Sequence, residues 1–191
     1  MQPTESQSSL AAARLQTLGR RVLLAVAGAL VVALAAQVEV PLPFTPVPIT
    51  LQPLAVLVVG GVLGSSGGAA ALITYLAMGM MGLPIFAGGA GGAHYLLGLT
   101  GGYLLAFPVA ALVTGWLTRS ESAGVLRVLL ACAAGMVVIH VGGVAQLAIL
   151  GGDSAQAFRL GFVPFLTNDL VKIGLAAALL LVLRPRTRAL R

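Results

Sequence analysis

Asp169 and Lys172 stand three residues apart in the stretch Asn168-Asp-Leu-Val-Lys172, which opens the last apolar run of the chain. On a helix, side chains at i and i+3 share a face with their Cβ atoms about 5–6 Å apart, so this spacing makes a carboxylate and an ammonium neighbours. Such a pair offers one acceptor and one cationic donor, which suits a small molecule carrying N–H groups and a carbonyl or carboxylate. Counted from Pro164 at about 1.5 Å per residue, Lys172 lies roughly 12 Å along its helix. Ionisable groups at that depth in an apolar run are costly and by default mark a functional site. Two plainer roles compete: Lys172 snorkelling to the headgroup layer, and Asp169 favoured by the positive end of the helix dipole. Neither accounts for both groups on one face, where the ion pair would still have to be desolvated.

The remaining titratable residues are few. His140 sits in the middle of the fifth apolar run, ahead of Gly142 and Gly143. It is read either as a hydrogen-bond partner for a neighbouring helix or, in a membrane-embedded enzyme, as a general base. His94 falls in a glycine-rich segment and is expected to be exposed, and the single Cys132 is expected to be a buried packing residue. No His, Cys, Asp and Glu cluster has metal-ligand spacing, and no nucleophile neighbours a base, so neither metal, cofactor nor catalysis is supported. The one lysine is Lys172 with no Ser or Thr after it, so the phosphate loop G-x-x-x-x-G-K-[ST] is missing. The chain is read as a binding protein and not an enzyme, with ATP hydrolysis, if any, left to partner subunits.

The elements that must position these residues are apolar helices. Of 191 residues 59% are hydrophobic and 8% charged, against about 25% charged in a soluble domain, so the chain is read as an all-α integral membrane protein. A net charge of +6 would suggest nucleic acid in a soluble protein. Here the placement of the charges explains it without nucleic acid. Nine basic residues, Arg14, Arg20, Arg21, Arg119, Arg127, Arg184, Arg186, Arg188 and Arg191, fall in three clusters, leaving Arg159 and Lys172 elsewhere. The clusters share one side if the number of spans is even and the fourth ends at Arg119. Lys and Arg accumulate on the cytoplasmic side, which puts both termini there and the protein in the cytoplasmic membrane as a multi-pass chain.

Along the chain this predicts a polar cytoplasmic lead over 1–21, a six-helix transmembrane domain over 22–184 and a basic cytoplasmic tail over 185–191. The expected spans are 22–38, 47–63, 69–85, 102–117, 128–150 and 164–183. The first, with Arg20-Arg21 before it and Ala33-Leu34-Ala35 near its end, also has the outline of a secretory signal, but further apolar spans follow and no exported domain does. Ala25, Ala29 and Ala33 recur every four residues, a small-residue strip that lets another backbone approach. Residues 39–50 hold Pro41, Pro43, Pro46 and Pro48, which predicts a stiff extended loop, either a lid or a rigid linker. The Gly64–Gly68 segment makes a short turn between antiparallel neighbours. Gly88, Gly89, Gly91 and Gly92 give a loop whose backbone can face a ligand, with Gly89 and Gly91 as candidate contacts. Trp116 is expected as an interfacial anchor, and Gly151–Val163 as an outer loop. No fixed-period repeat is visible.

Five segments together resemble the BioY proteins, the biotin-specific substrate-binding (S) subunits of energy-coupling-factor transporters. They are Pro41-Leu-Pro-Phe44, Pro46-Val-Pro-Ile-Thr-Leu-Gln52, Gly82-Leu-Pro-Ile-Phe-Ala-Gly-Gly89, Thr100-Gly-Gly-Tyr103 and Asp169-Leu-Val-Lys172. The pattern departs at Asn168, where the family usually has glycine, and at Leu99, where it often has proline. The resemblance implies a six-helix subunit that captures biotin from outside, with the loop after the first helix covering the site. It implies contacts to biotin from Asp169 and Lys172, and a strip Ala25, Ala29, Ala33 facing a transmembrane coupling subunit that joins two ATPases. By position, Gln52, Asn168 and Tyr103 are candidate hydrogen-bonding residues, and Phe44 and Phe86 candidate apolar walls. Capture of another vitamin, such as thiamine or riboflavin, is the nearest alternative.

Overall fold

The computed structural model describes residues 5–120 and 124–183, with side chains from Ala13 onward. The basic tail 185–191, with Arg186, Arg188 and Arg191, lies outside the described residues, as does Arg184. Helix α1 runs Glu5–Ala36, so the expected polar lead is largely helical. Its Ala, Leu, Gln and Arg residues are strong helix formers and carry the helix back well before Val22.

After α1 the proline-rich segment forms a two-stranded ribbon, β1 (Glu39–Val40) against β2 (Ile49–Thr50), antiparallel, with Glu39 opposite Thr50 and Val40 opposite Ile49. Prolines cannot donate to a ladder, so pairing is confined to the two ends of the segment. The next helix, α2 (Gln52–Met80), starts five residues later than Val47. Pro48 biases Val47 toward extended backbone. Pro53 instead sits in the first helical turn, where its missing donor costs nothing.

Gly64 interrupts α2 with φ 77° and ψ 178°, a conformation open to glycine and little else. Gln52 Nε2 donates to the Tyr75 hydroxyl at 2.7 Å. In one straight helix those residues would lie about 35 Å apart. The chain therefore reverses at Gly64, and 52–63 and 65–80 are antiparallel neighbours, as the glycine-serine stretch predicts, through a single-residue break in place of a loop. A Cβ on Gly68 would stand 2.7 Å from the Gly60 Cα, which is how closely the two halves pack.

Short α3 (Ala93–Leu96) leads into α4 (Gly101–Leu117), which nests against the α2 hairpin. A Cβ on Gly115 would meet Ser65 N at 2.5 Å and Gly60 O at 2.6 Å. Helix α5 (Val125–Gly151) packs on α4, and α7 (Leu166–Leu183) lies against α2 and α5, with Leu180 seated on Gly61. Cys132 is buried in that seam, as expected. Trp116 is half exposed, with the Arg119 guanidinium 5.3 Å from its ring centroid.

Two expectations need correction. The segment read as an outer loop carries a helix, α6 (Ser154–Gly161), started by Asp153, whose carboxylate accepts the N–H groups of Ala155 and Gln156 at 2.9 and 3.0 Å. The second concerns the alanine strip. Ala29 and Ala33 are 0% and 6% exposed and belong to the chain's own core. Beside them a Cβ on Gly28 would stand 2.8 Å from the Ala71 Cβ. For Ala29 and Ala33 the close helix that the strip admits is α2, so these two do not form an open face for a partner, whereas Ala25 is half-buried and stays at the surface beside Ser66 and Gly67.

Among the described residues, four helical stretches are long and apolar enough to cross a membrane: Ala13–Ala36, Gln52–Met80, Val125–Gly151 and Ser154–Leu183. The shorter Gly101–Leu117 is also apolar. The first half of the α2 hairpin is only about 18 Å long, against about 40 Å for α5. The space beyond its end is filled by the proline loop.

Candidate ligand site

In α7 the Asp169 and Lys172 side chains share the inner face, with residue exposures of 6% and 3%. Lys172 therefore does not snorkel. Its Nζ lies 3.5 Å from Asp169 Oδ1, longer than the about 2.7–2.9 Å of a tight charge-assisted hydrogen bond. The other carboxylate oxygen, Oδ2, lies 2.5 Å from His140 Nε2 on α5. An ionised carboxylate only accepts, so in that state Nε2 carries the proton and donates. His140 is thus a partner for a neighbouring helix, as its first reading has it. Two charged groups held out of water are costly unless their hydrogen-bonding capacity is met, and here one carboxylate answers both a ring nitrogen and an ammonium.

These three side chains lie on the wall of a cavity. Thr50, Gln52, Thr100 and Tyr103 add polar atoms, and Val47, Pro48, Leu104, Phe107, Ile139 and Phe165 make apolar walls. The lining comes from the proline loop, the start of α2, the glycine-rich turn at Ala87, α3, α4, α5, Phe165 just before α7, and α7 itself. Gln52 is fixed on two sides, its Nε2 donating to Tyr75 and its Oε1 accepting the Thr50 hydroxyl at 3.3 Å. The Tyr103 hydroxyl donates to the Gly161 carbonyl at 2.7 Å, joining α4 to the end of α6. Thr45 does the same for the proline loop, donating to the Leu160 carbonyl at 2.8 Å. The loop expected to be a lid is therefore fastened to α6 beside the cavity.

Of the residues singled out in sequence, Asp169, Lys172, Gln52 and Tyr103 are brought together on the lining. The other five are not. Phe44 is 58% exposed and does not line the cavity. Phe86 is fully buried one layer back, stacked at 5.2 Å on Tyr95, which does line the cavity. Asn168 is half-buried beside the site. Gly89 and Gly91 belong to the turn behind Ala87, and a Cβ on Gly91 would stand 2.5 Å from the Leu83 carbonyl oxygen. Sequence reasoning missed Thr50, Thr100, Phe107, Ile139 and Phe165. Phe165 was accessible, since it precedes Asp169 by four residues and so shares its helical face. His94 is exposed, as expected.

Tyr103→Phe keeps the ring and removes the one hydroxyl bonded to Gly161. A lost hydrogen bond of this kind is expected to cost about 1 kcal/mol, or about 2–4 °C in unfolding midpoint for a chain of this size. Thermal unfolding of the purified variant in detergent checks it, and an unchanged midpoint would show that the bond carries no stability.

Three comparisons bear on this arrangement. The family model described as the BioY family matches residues 6–189. A biotin transporter BioY of Thermotoga maritima is 41% identical over 143 residues, which is 75% of this chain and 84% of that one. One of Rhizobium etli is 36% identical over 166 residues, 83% and 89% of the two chains. The crystal structure of the S-component for biotin from an ECF-type ABC transporter superposes with a TM-score of 0.79, covering 89% of this chain and 93% of that one at 24% identity, so the fold is shared. With a family match over nearly its whole length and relatives of this identity, the chain belongs to the BioY family.

Proposed function

We propose that this chain is the substrate-specific subunit of an ECF-type transporter, capturing biotin with high affinity at the outer face of the cytoplasmic membrane for uptake. The observation that carries the ligand site is the buried Asp169–Lys172 pair on a cavity wall. Biotin presents a ureido ring with two N–H donors and a carbonyl, an apolar thioether ring and a valerate carboxylate. Asp169 accepts a ureido N–H, Lys172 meets a carbonyl or carboxylate, and Gln52 and Tyr103 offer further polar contacts. Phe107, Ile139 and Phe165 cover the apolar part.

The ends of the bundle support an orientation. The Arg20 and Arg21 segment of α1 lies by Ser66 and Gly67 at the α2 turn, and Arg127 Nε donates to the Leu117 carbonyl. The cavity is at the opposite end. With Arg-rich segments cytoplasmic, the cavity opens outward. Six crossings, by α1, the two halves of α2, α4, α5 and α7, leave both termini in the cytoplasm. Two ATPase subunits reached through a transmembrane coupling subunit, which the resemblance implies, would supply ATP hydrolysis, in keeping with a sequence that has no G-x-x-x-x-G-K-[ST] stretch.

The test is binding of tritiated biotin to the purified protein, competed by unlabelled biotin, thiamine and riboflavin. Displacement by biotin alone is expected. Displacement by another vitamin, or no retained label, overturns the assignment.

A further inference from the structure

We propose that His140 is a positioning residue for ligand capture, holding Asp169 so that Oδ2 is committed to the ring and Oδ1, beside the Lys172 ammonium, is the oxygen left to receive a ligand N–H. The inference rests on the reading of the cavity as a biotin site. It concerns a side chain on a different helix, 29 residues away in sequence.

The geometry restrains both partners. A carboxylate on a helix has a broad, roughly two-fold terminal torsion, so its two oxygens exchange unless one is tied. The 2.5 Å contact to Nε2 ties Oδ2. The ring in turn is boxed by aromatic groups: Phe162 edge-on at 5.0 Å and 89°, Tyr103 edge-on at 6.0 Å and 85°, and Phe165 at 6.2 Å. Close approach of the Tyr103 ring is possible because Gly143 has no side chain there.

His140 Nδ1 is the telling atom. It is buried and meets no hydrogen-bond partner among the described residues. Histidines that serve as ligands or relays ordinarily fix their ring through the second nitrogen. This one is fixed through Asp169 and packing alone. A buried polar nitrogen without a partner lowers stability, and a phenylalanine would fill the same aromatic box without that cost. What a phenylalanine lacks is the N–H aimed at Oδ2. Lys172 does not replace it, because at 3.5 Å it lies by the other oxygen.

The experiment is a set of biotin affinities for the full-length purified protein: the natural chain, His140→Phe, His140→Gln and His140→Asn, each also combined with Asp169→Asn. Glutamine places an amide N–H near the position of Nε2, and asparagine places one near Nδ1. We expect Phe and Asn to weaken binding about tenfold, the scale of losing a hydrogen bond to a charged group, and Gln to recover most of it. With Asp169→Asn already present, the His140 changes are expected to add less than about twofold, because residues acting through one another are non-additive. Equal losses in both backgrounds, or Gln no better than Asn, would overturn the proposal. If the Phe variant does not purify as a single species, Gln against Asn decides alone. A natural chain that binds no biotin sinks the ligand assignment and this inference together; normal binding with additive His140 effects sinks only this one.

Discussion

Asp169→Asn and Lys172→Ala each lower biotin affinity by more than about tenfold, or over about 1.4 kcal/mol, while the protein still inserts and purifies. The size follows from burial. At 6% and 3% exposure the two groups have little water to fall back on. Hydrogen bonds to charged groups are worth about 1.5–3 kcal/mol, and a ligand that exploits both groups loses at least one such bond in either variant. Asp169→Asn leaves the Lys172 ammonium buried without its counterion, a situation that costs about 3–5 kcal/mol in soluble cores, whereas Lys172→Ala leaves the carboxylate its contact to His140. A lower unfolding midpoint should therefore accompany the lost affinity in Asp169→Asn. Titration of detergent-purified protein with labelled biotin, beside circular dichroism of the unliganded variants, separates the two effects. Unchanged affinity in both variants would remove the pair from the site.

The second large effect is expected at a helix crossing built from glycines. At the α4–α5 crossing Gly102 and Gly142 face one another, and a Cβ on Gly142 would stand 2.7 Å from both the Gly102 carbonyl oxygen and the Ala106 Cβ. These neighbours are backbone and a methyl group, so they cannot rotate aside. Overpacking of this kind typically costs about 1–3 kcal/mol and sometimes more. At this crossing the helices must separate, moving Tyr103 on one side from His140 on the other. Gly142→Val is expected to cost about 3 kcal/mol or more and to take biotin binding with it. Gly174→Ala on α7 is the control, since nothing stands within 4 Å of a Cβ there and the helix gains about 0.5–1 kcal/mol. Thermal unfolding of both variants decides; a Gly142→Val protein as stable as the natural chain would show that the crossing tolerates spreading.

What could be read from the amino-acid sequence tracks how rare a residue type is in its surroundings. In a chain with 8% charged residues, Asp169 and Lys172 had few plain explanations, and both are on the cavity wall. Gln52 and Tyr103 were chosen by position within the family-like segments, and both also line the cavity. Phe44 and Phe86 were chosen by their place in a distinctive string, and Gly89 and Gly91 by the glycine density of their loop. A string says nothing of side-chain direction, and in irregular backbone no periodicity supplies it. The alanine strip shows the same limit on a helix, where spacing announces close packing but not whose helix arrives. Helix α6 was readable in principle, because Asp153 three residues before Gln156 is a capping pair. The His140–Asp169 contact was not, since it joins two helices whose rotation is set by glycines elsewhere.

The end of α6 ties two elements to one point. The last carbonyls of any helix lack intrahelical partners, and here two consecutive ones, Leu160 and Gly161, are engaged by Thr45 of the proline loop and Tyr103 of α4. Neither bond involves a charge. The proline loop, whose Val47 is also buried in the core, thus meets α6 through a neutral bond at the point where a short helix frays most easily. Fraying of that helix end would loosen the Thr45 and Tyr103 bonds together, so the proline loop and α4 share one point of local stability.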